Sequence, residues 1–149
     1  MPRLTDEAIA EGCAAMRSRL SYWDRGKLVP PLHEHPDCVR IAYEWLDAQT
    51  KRKGTGNGSH PLKHMIESWG GRYVSQDDVE VAVHMHPGVR GSYRNCFNLS
   101  RRLVLPSLDR LEGIGEAGAH AHYRDSDYEY YHEEESPGGP LRRPEGRRR

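Results

Sequence analysis

Histidines, cysteines and a run of closely spaced arginines are the residues of this 149-residue chain whose types can carry chemistry. Among the nine histidines are three H-x-H pairs, His33/His35, His84/His86 and His120/His122. Imidazole nitrogen is the commonest side-chain ligand for zinc and its neighbours, so these pairs raise the question of a metal. The stretch HEHPDC puts His33, His35, Asp37 and Cys38 on one loop, and His60 and His64 at i, i+4 share a helical face. Within a helix, H-x-H turns its two rings about 200° apart, so His84 and His86 do not share an ion. No spacing matches a structural or catalytic zinc signature. The expectation is therefore no metal and no cofactor, with His33, His35 and Cys38 the first place to look for one.

Catalytic signatures are also missing. There is no G-x-S-x-G, no H-E-x-x-H and no G-x-G-x-x-G after a strand, and GTGNGS lacks the spacing and the preceding strand of a phosphate loop. A non-enzymatic protein is expected, with a metal-dependent enzyme the least favoured reading. Cys13, Cys38 and Cys96 are odd in number, lie far apart and form no C-x-x-C, which points to reduced thiols and a cytoplasmic setting. No run approaches the roughly 18 apolar residues of a membrane span, and acids occupy the N-terminus where a signal peptide needs an apolar region.

The arginines give the strongest functional pattern. Lys+Arg and Asp+Glu are both 22, so the whole molecule has no charge preference for a polyanion. From Pro87 to Arg110, however, there are five arginines against one acid, Asp109. Arg90, Arg94, Arg101 and Arg102 are the candidate phosphate contacts, with Asn95, Asn98 and Ser100 able to read base edges or bind phosphate. Tyr73, Tyr93 and Phe97 interleave with these cations as stacking residues do in single-strand binders, although Phe97, the only phenylalanine, reads better as a core anchor.

Elements must position these groups. Thr5 caps a first amphipathic helix, with Ile9, Cys13, Met16 and Leu20 on one stripe, running to about Asp24 before Gly26. LVPPLHEHP is an extended connection. A central core helix starts near Pro36, with Val39, Ala42, Tyr43 and Leu46 on its stripe. After a mobile glycine loop, a third helix carries Leu62, Met65, Ile66 and Trp69 and stops at Gly70-Gly71. Ser75 and Asp78 form a start signal for a helix from Gln76, which Pro87 and Gly88 end. A second, cationic helix is expected somewhere from Tyr93 to Arg102, with Asn98 as a cap for a helix over Leu99 to Leu103. Helix, turn and cationic helix describe a helix-turn-helix. If Arg72 to Val74 pair with Leu103 to Leu105, the part from about 60 to 105 becomes a minimal winged helix. A short helix with Leu108 and Leu111 follows. From residue 120 the chain turns acidic and tyrosine-rich, then proline-, glycine- and arginine-rich, which predicts a disordered tail.

The sequence thus predicts a mainly α fold: one helical domain over 1–119, a bundle with a helix-turn-helix or minimal winged-helix core, and a disordered charged tail over 120–149. The function expected is a small DNA-binding protein in transcription or replication control. The rival is a non-enzymatic adaptor or inhibitor that meets a protein partner with the same helices and the acidic, tyrosine-rich tail.

Overall fold

A computed structural model of the chain describes residues 3–56, 58, 60–92, 96–124 and 128–135. Among them are four α-helices and six short strands, a mixed arrangement rather than a plain helical bundle. The helices are α1 (Asp6–Leu20), α2 (Pro36–Asp47), α3 (Leu62–Gly70) and α4 (Gln76–Met85). Their starts follow from local chemistry. Thr5 accepts from the Ala8 N–H at 3.1 Å, and Ser75 accepts from the Asp78 N–H at 3.0 Å, each satisfying a donor the first turn leaves unpaired. Pro36 occupies the first turn of α2, where its missing N–H is not needed, and the His35 ring accepts from the Asp37 N–H at 2.9 Å.

Helix α2 is the centre of the core. Val39, Ile41, Ala42, Trp45 and Leu46 are all fully buried, against Met65 and Ile66 of α3 and Val79 and Ala82 of α4. Helix α1 lies over α4, burying Ile9 and Met16. It ends at Leu20, earlier than expected, because residues 22–29 form a hairpin: β1 (Tyr22–Asp24) pairs antiparallel with β2 (Lys27–Val29) around Arg25 and Gly26, both at positive φ. A two-residue turn of this kind matches the twist of its strands.

Beyond α4 the structure corrects the expected cationic helix. Strand β3 (Gly91–Ser92) pairs antiparallel with β4 (Cys96–Phe97), and no helix lies between Gly91 and Leu105 among the described residues. Gly91 explains the outcome, since it sits at φ 138° and a Cβ there would lie 2.2 Å from the Cys96 carbonyl oxygen. Only glycine admits that close strand approach. The segment after β4 then pairs with the chain just past α2: Lys51 bridges Leu99, the Arg52 N–H donates to the Asn98 carbonyl at 2.8 Å, and the Ser100 N–H donates to the Thr50 carbonyl at 2.8 Å. Residues 96–100 therefore run between residues 50–56 and 90–92, as the middle of a small three-segment ladder.

The expected pairing of Arg72 to Val74 with Leu103 to Leu105 does not form. The Tyr73 N–H goes to the His120 ring at 3.1 Å and the Val74 N–H to the Glu67 carboxylate at 3.2 Å, so side chains take the donors a strand would have used. Instead β5 (Leu103–Leu105) pairs in parallel with β6 (Tyr131–Glu134). Gln49 holds the other side of β5, accepting from the Val104 N–H at 2.9 Å and donating to its carbonyl at 2.8 Å.

Strand β6 also corrects the predicted boundary at residue 120. Tyr131 is 2% exposed, and its hydroxyl accepts from the Trp45 indole N–H at 2.8 Å in the middle of the core. A buried indole donor needs such a partner, which ties this late strand to α2. The part of the predicted tail from 136 onward lies outside the described residues.

Candidate nucleic-acid interface

Asn98 organises the ladder from inside. It is 1% exposed, its Oδ1 accepts from the Arg90 N–H at 2.7 Å, and its Nδ2 donates to the carbonyls of Arg52 at 3.2 Å and Gly88 at 3.1 Å. One side chain thus fastens all three segments and satisfies buried backbone groups that would otherwise be orphaned. This corrects two expectations, since Asn98 neither caps a helix nor faces a ligand. Its donors and its acceptor are committed to the backbone.

Around that clamp the chain gathers cations from separate stretches of sequence. Arg90, Arg101 and Arg102 are exposed, as are Arg52 and Lys53 on the 50–56 segment. The Arg90 guanidinium donates to the Lys53 carbonyl, so a side chain from one outer segment of the ladder reaches the backbone of the other. Arg52, Lys53 and Arg101 have no ion-pair partner among the described residues. Arg102 has only a loose contact of 3.7 Å to Glu133, with both side chains substantially exposed, which is worth little in water. Lys51 is half-buried, donates to the Asp47 carbonyl at 2.7 Å and has its pKa lowered by burial. Ser100 is half-buried, its hydroxyl accepting from the Arg102 N–H at 3.1 Å, which leaves it a local turn role. Arg94, Asn95 and Tyr93 lie outside the described residues. Phe97 is buried, as its core reading anticipated, and Tyr73 is half-buried with Lys63 over its ring at 4.8 Å.

The contribution of residues 51–53 was missed in the sequence. Lysine and arginine following a helix look like an ordinary solvated end, and only the Lys51 to Leu99 bridge brings them beside the arginines.

Several arginines elsewhere are neutralised. Arg40 pairs with Asp6 and Asp37, and Arg72 pairs with Glu34 at 2.7 Å and Glu116 at 3.0 Å. Arg110 joins Glu135 at 2.6 Å, Asp47 at 2.9 Å and Glu44 at 3.1 Å, and these hydrogen bonds, Glu135 first, raise its pKa further and hold the Glu135 carboxyl below its ordinary range.

The histidines are largely spent on structure. His33 Nδ1 lies 2.6 Å from the Asp78 carboxylate, and His35 caps α2. Cys38 is fully buried with its thiol directed at the Tyr73 carbonyl, and burial, ahead of the Asp78 charge, pushes its pKa up to about 12. Such a thiol is neither a ready nucleophile nor a ready ligand. His60 packs edge-on against Tyr130, and His64 approaches Glu67 at 3.3 Å, so these two do not converge. His86 accepts from the Gly88 N–H and meets Asp47 at 2.8 Å. Among the described residues, no three His, Cys, Asp or Glu side chains are grouped as a metal would need.

Comparison with family models, with curated proteins and with solved structures finds no match for this chain. Among the described residues, no helix is long and apolar enough to cross a membrane.

Proposed function

We propose that this protein binds nucleic acid through the basic edge of the 50–56, 96–100 and 90–92 ladder. The observation that carries the reading is the grouping of exposed cations on this ladder: Arg52, Lys53 and Arg101 have no ion-pair partner among the described residues, whereas Arg3, Arg40, Arg72 and Arg110 are held in ion pairs. A cluster of unpaired, exposed cations on a rigid backbone frame is the footprint of phosphate binding, because each phosphate neutralised releases counterions.

The connectivity supports it. Helix α2, the 50–56 segment, α3, α4, β3 and β4 follow in the order of a winged helix, with α3 and α4 as its helical pair and the β3–β4 hairpin as its wing. In this unit α4 is the second helix, not the segment after Gly91. Its first turn carries Asp77 and Asp78, and Val79 to Val83 are buried under α1 and against α2, so it offers no cationic face to a groove. Contact therefore falls to the wing and the 51–53 segment, which touch backbone phosphates and favour shape over base sequence. A role in transcription or replication control is consistent with binding of this kind.

Fluorescence anisotropy with a labelled duplex and with a labelled single strand tests the reading. Binding that weakens steeply between about 50 and 200 mM salt is expected. Absence of binding to either probe at low salt would refute it.

A protein-binding adaptor is the second reading, and a different feature favours it. The β1–β2 hairpin exposes Tyr22, Trp23 and Leu28 at 58%, 72% and 56%. Part of the acidic segment first expected to serve a partner is instead built into the fold through Tyr131 and Glu135.

A further inference from the structure

A cavity of about 520 Å³ opens between α1, the 30–33 segment and α4, well away in sequence from the basic edge. Its volume falls within the range of small-molecule sites, roughly 300–1,000 Å³. Much of its wall is apolar, formed by Ala14, Leu20, Pro31 and Val81, while Arg17 and His33 supply spare polar groups.

The two acids in the cavity are already committed. Asp77 accepts from the Leu32 N–H at 2.8 Å. Asp78, 1% exposed, is engaged by His33 Nδ1 at 2.6 Å, and burial raises its pKa. Ser75 adds a further tie, donating to the Leu32 carbonyl at 2.6 Å. These bonds pin the proline-rich segment to the start of α4 and fix the His33 ring. The opposite ring nitrogen, Nε2, has no hydrogen-bond partner among the described residues, although the ring lines the cavity. The Arg17 guanidinium likewise has no ion pair or hydrogen bond among the described residues. Committed acids, a spare cation, a fixed imidazole and an apolar wall specify a ligand that is anionic at one end and hydrocarbon at the other.

We infer that this cavity binds a small organic acid, with the carboxylate on Arg17 next to the His33 ring and the apolar body against Ala14, Leu20, Pro31 and Val81. Asp78 serves as the positioning residue for the imidazole. Cys13 also lines the cavity, but burial raises its pKa and it takes no part in binding.

Octanoate is a suitable probe, with octylamine and octanol as comparators of matched body and different head. Calorimetry and NMR of the full chain should show octanoate binding once per chain, at least about tenfold tighter than either comparator, with the His33 ring signals shifting. Arg17→Gln should weaken it about tenfold, the loss of one charge-assisted contact. Ala14→Trp, a change at an exposed helix position, should fill the cavity and abolish binding while leaving the far-UV circular dichroism unchanged. Equal or tighter binding of octylamine would overturn the inference, as would octanoate binding insensitive to both variants. No octanoate response up to about 10 mM, with the fold intact, would overturn it as well.

Discussion

The surroundings of Arg110 and of Arg52 show how one side-chain type serves two purposes. Arg110 lies where α2, the turn after Ser107 and the end of β6 meet, held by Glu135, Asp47 and Glu44. Arg52 lies on the ladder, exposed and with no carboxylate partner among the described residues. Paired arginines in half-buried sites join elements, because removing one leaves partly desolvated carboxylates uncompensated. Unpaired arginines at an exposed edge contribute little to folding and remain available to an external anion. Net charge could not reveal this, since it is zero for the whole chain. What matters is which cations the fold leaves without acids.

The largest effect should come from breaking the joined region at its core. Tyr131→Ala removes a buried aromatic and orphans the Trp45 N–H, and should cost about 3–5 kcal/mol in urea unfolding. Truncation after His120 should cost at least as much, whereas an unchanged midpoint would mean that β6 contributes nothing to stability.

Next comes the direct comparison. Arg110→Ala should cost about 2–3 kcal/mol, while Arg52→Ala and Arg101→Ala should each stay within about 0.5 kcal/mol. Equal costs would erase the distinction between the two regions.

A smaller effect concerns pH. Glu135 has a depressed pKa in the fold, first through its bond to Arg110, so its contribution is present above its ordinary value of 4.5 and is lost as pH falls through the lower folded value. The stability gap between the parent and Glu135→Gln should therefore close progressively below about pH 4.5. Measuring the gap removes the opposing influence of Asp78, whose raised pKa acts in the other direction. A gap that persists at the acid end would show that the carboxylate charge is not what stabilises the contact.

Helix starts were legible in the sequence because their causes are local. Thr5, Pro36 and Ser75 each act within a turn of their own position, and the apolar stripes of α2 and α3 repeat at helical spacing. The ladder was not legible. Lys51 meets Leu99, and Trp45 meets Tyr131, across stretches that no local pattern connects. Leu99 and Leu103 stand four apart and so imitated a helical face, but the Gly91 hairpin and the Asn98 clamp extended that segment instead. Tyrosines among acids imitated a disordered tail, although Tyr131 fills the core. Of the candidate site, the exposed arginines at 90, 101 and 102 were legible as cations. The role of Asn98 and the addition of Arg52 and Lys53 depended on pairing that only the fold supplies.

The most direct test of the central claim is the salt dependence of nucleic-acid binding by the triple variant Arg52→Ala, Lys53→Ala, Arg101→Ala beside the parent, each measured by anisotropy at several salt concentrations. Loss of three phosphate contacts should flatten the slope of log affinity against log salt by about 2–3 units, with an unfolding midpoint close to the parent's. A triple variant with the parent's slope and affinity, or a parent that binds no nucleic acid at low salt, would contradict the account.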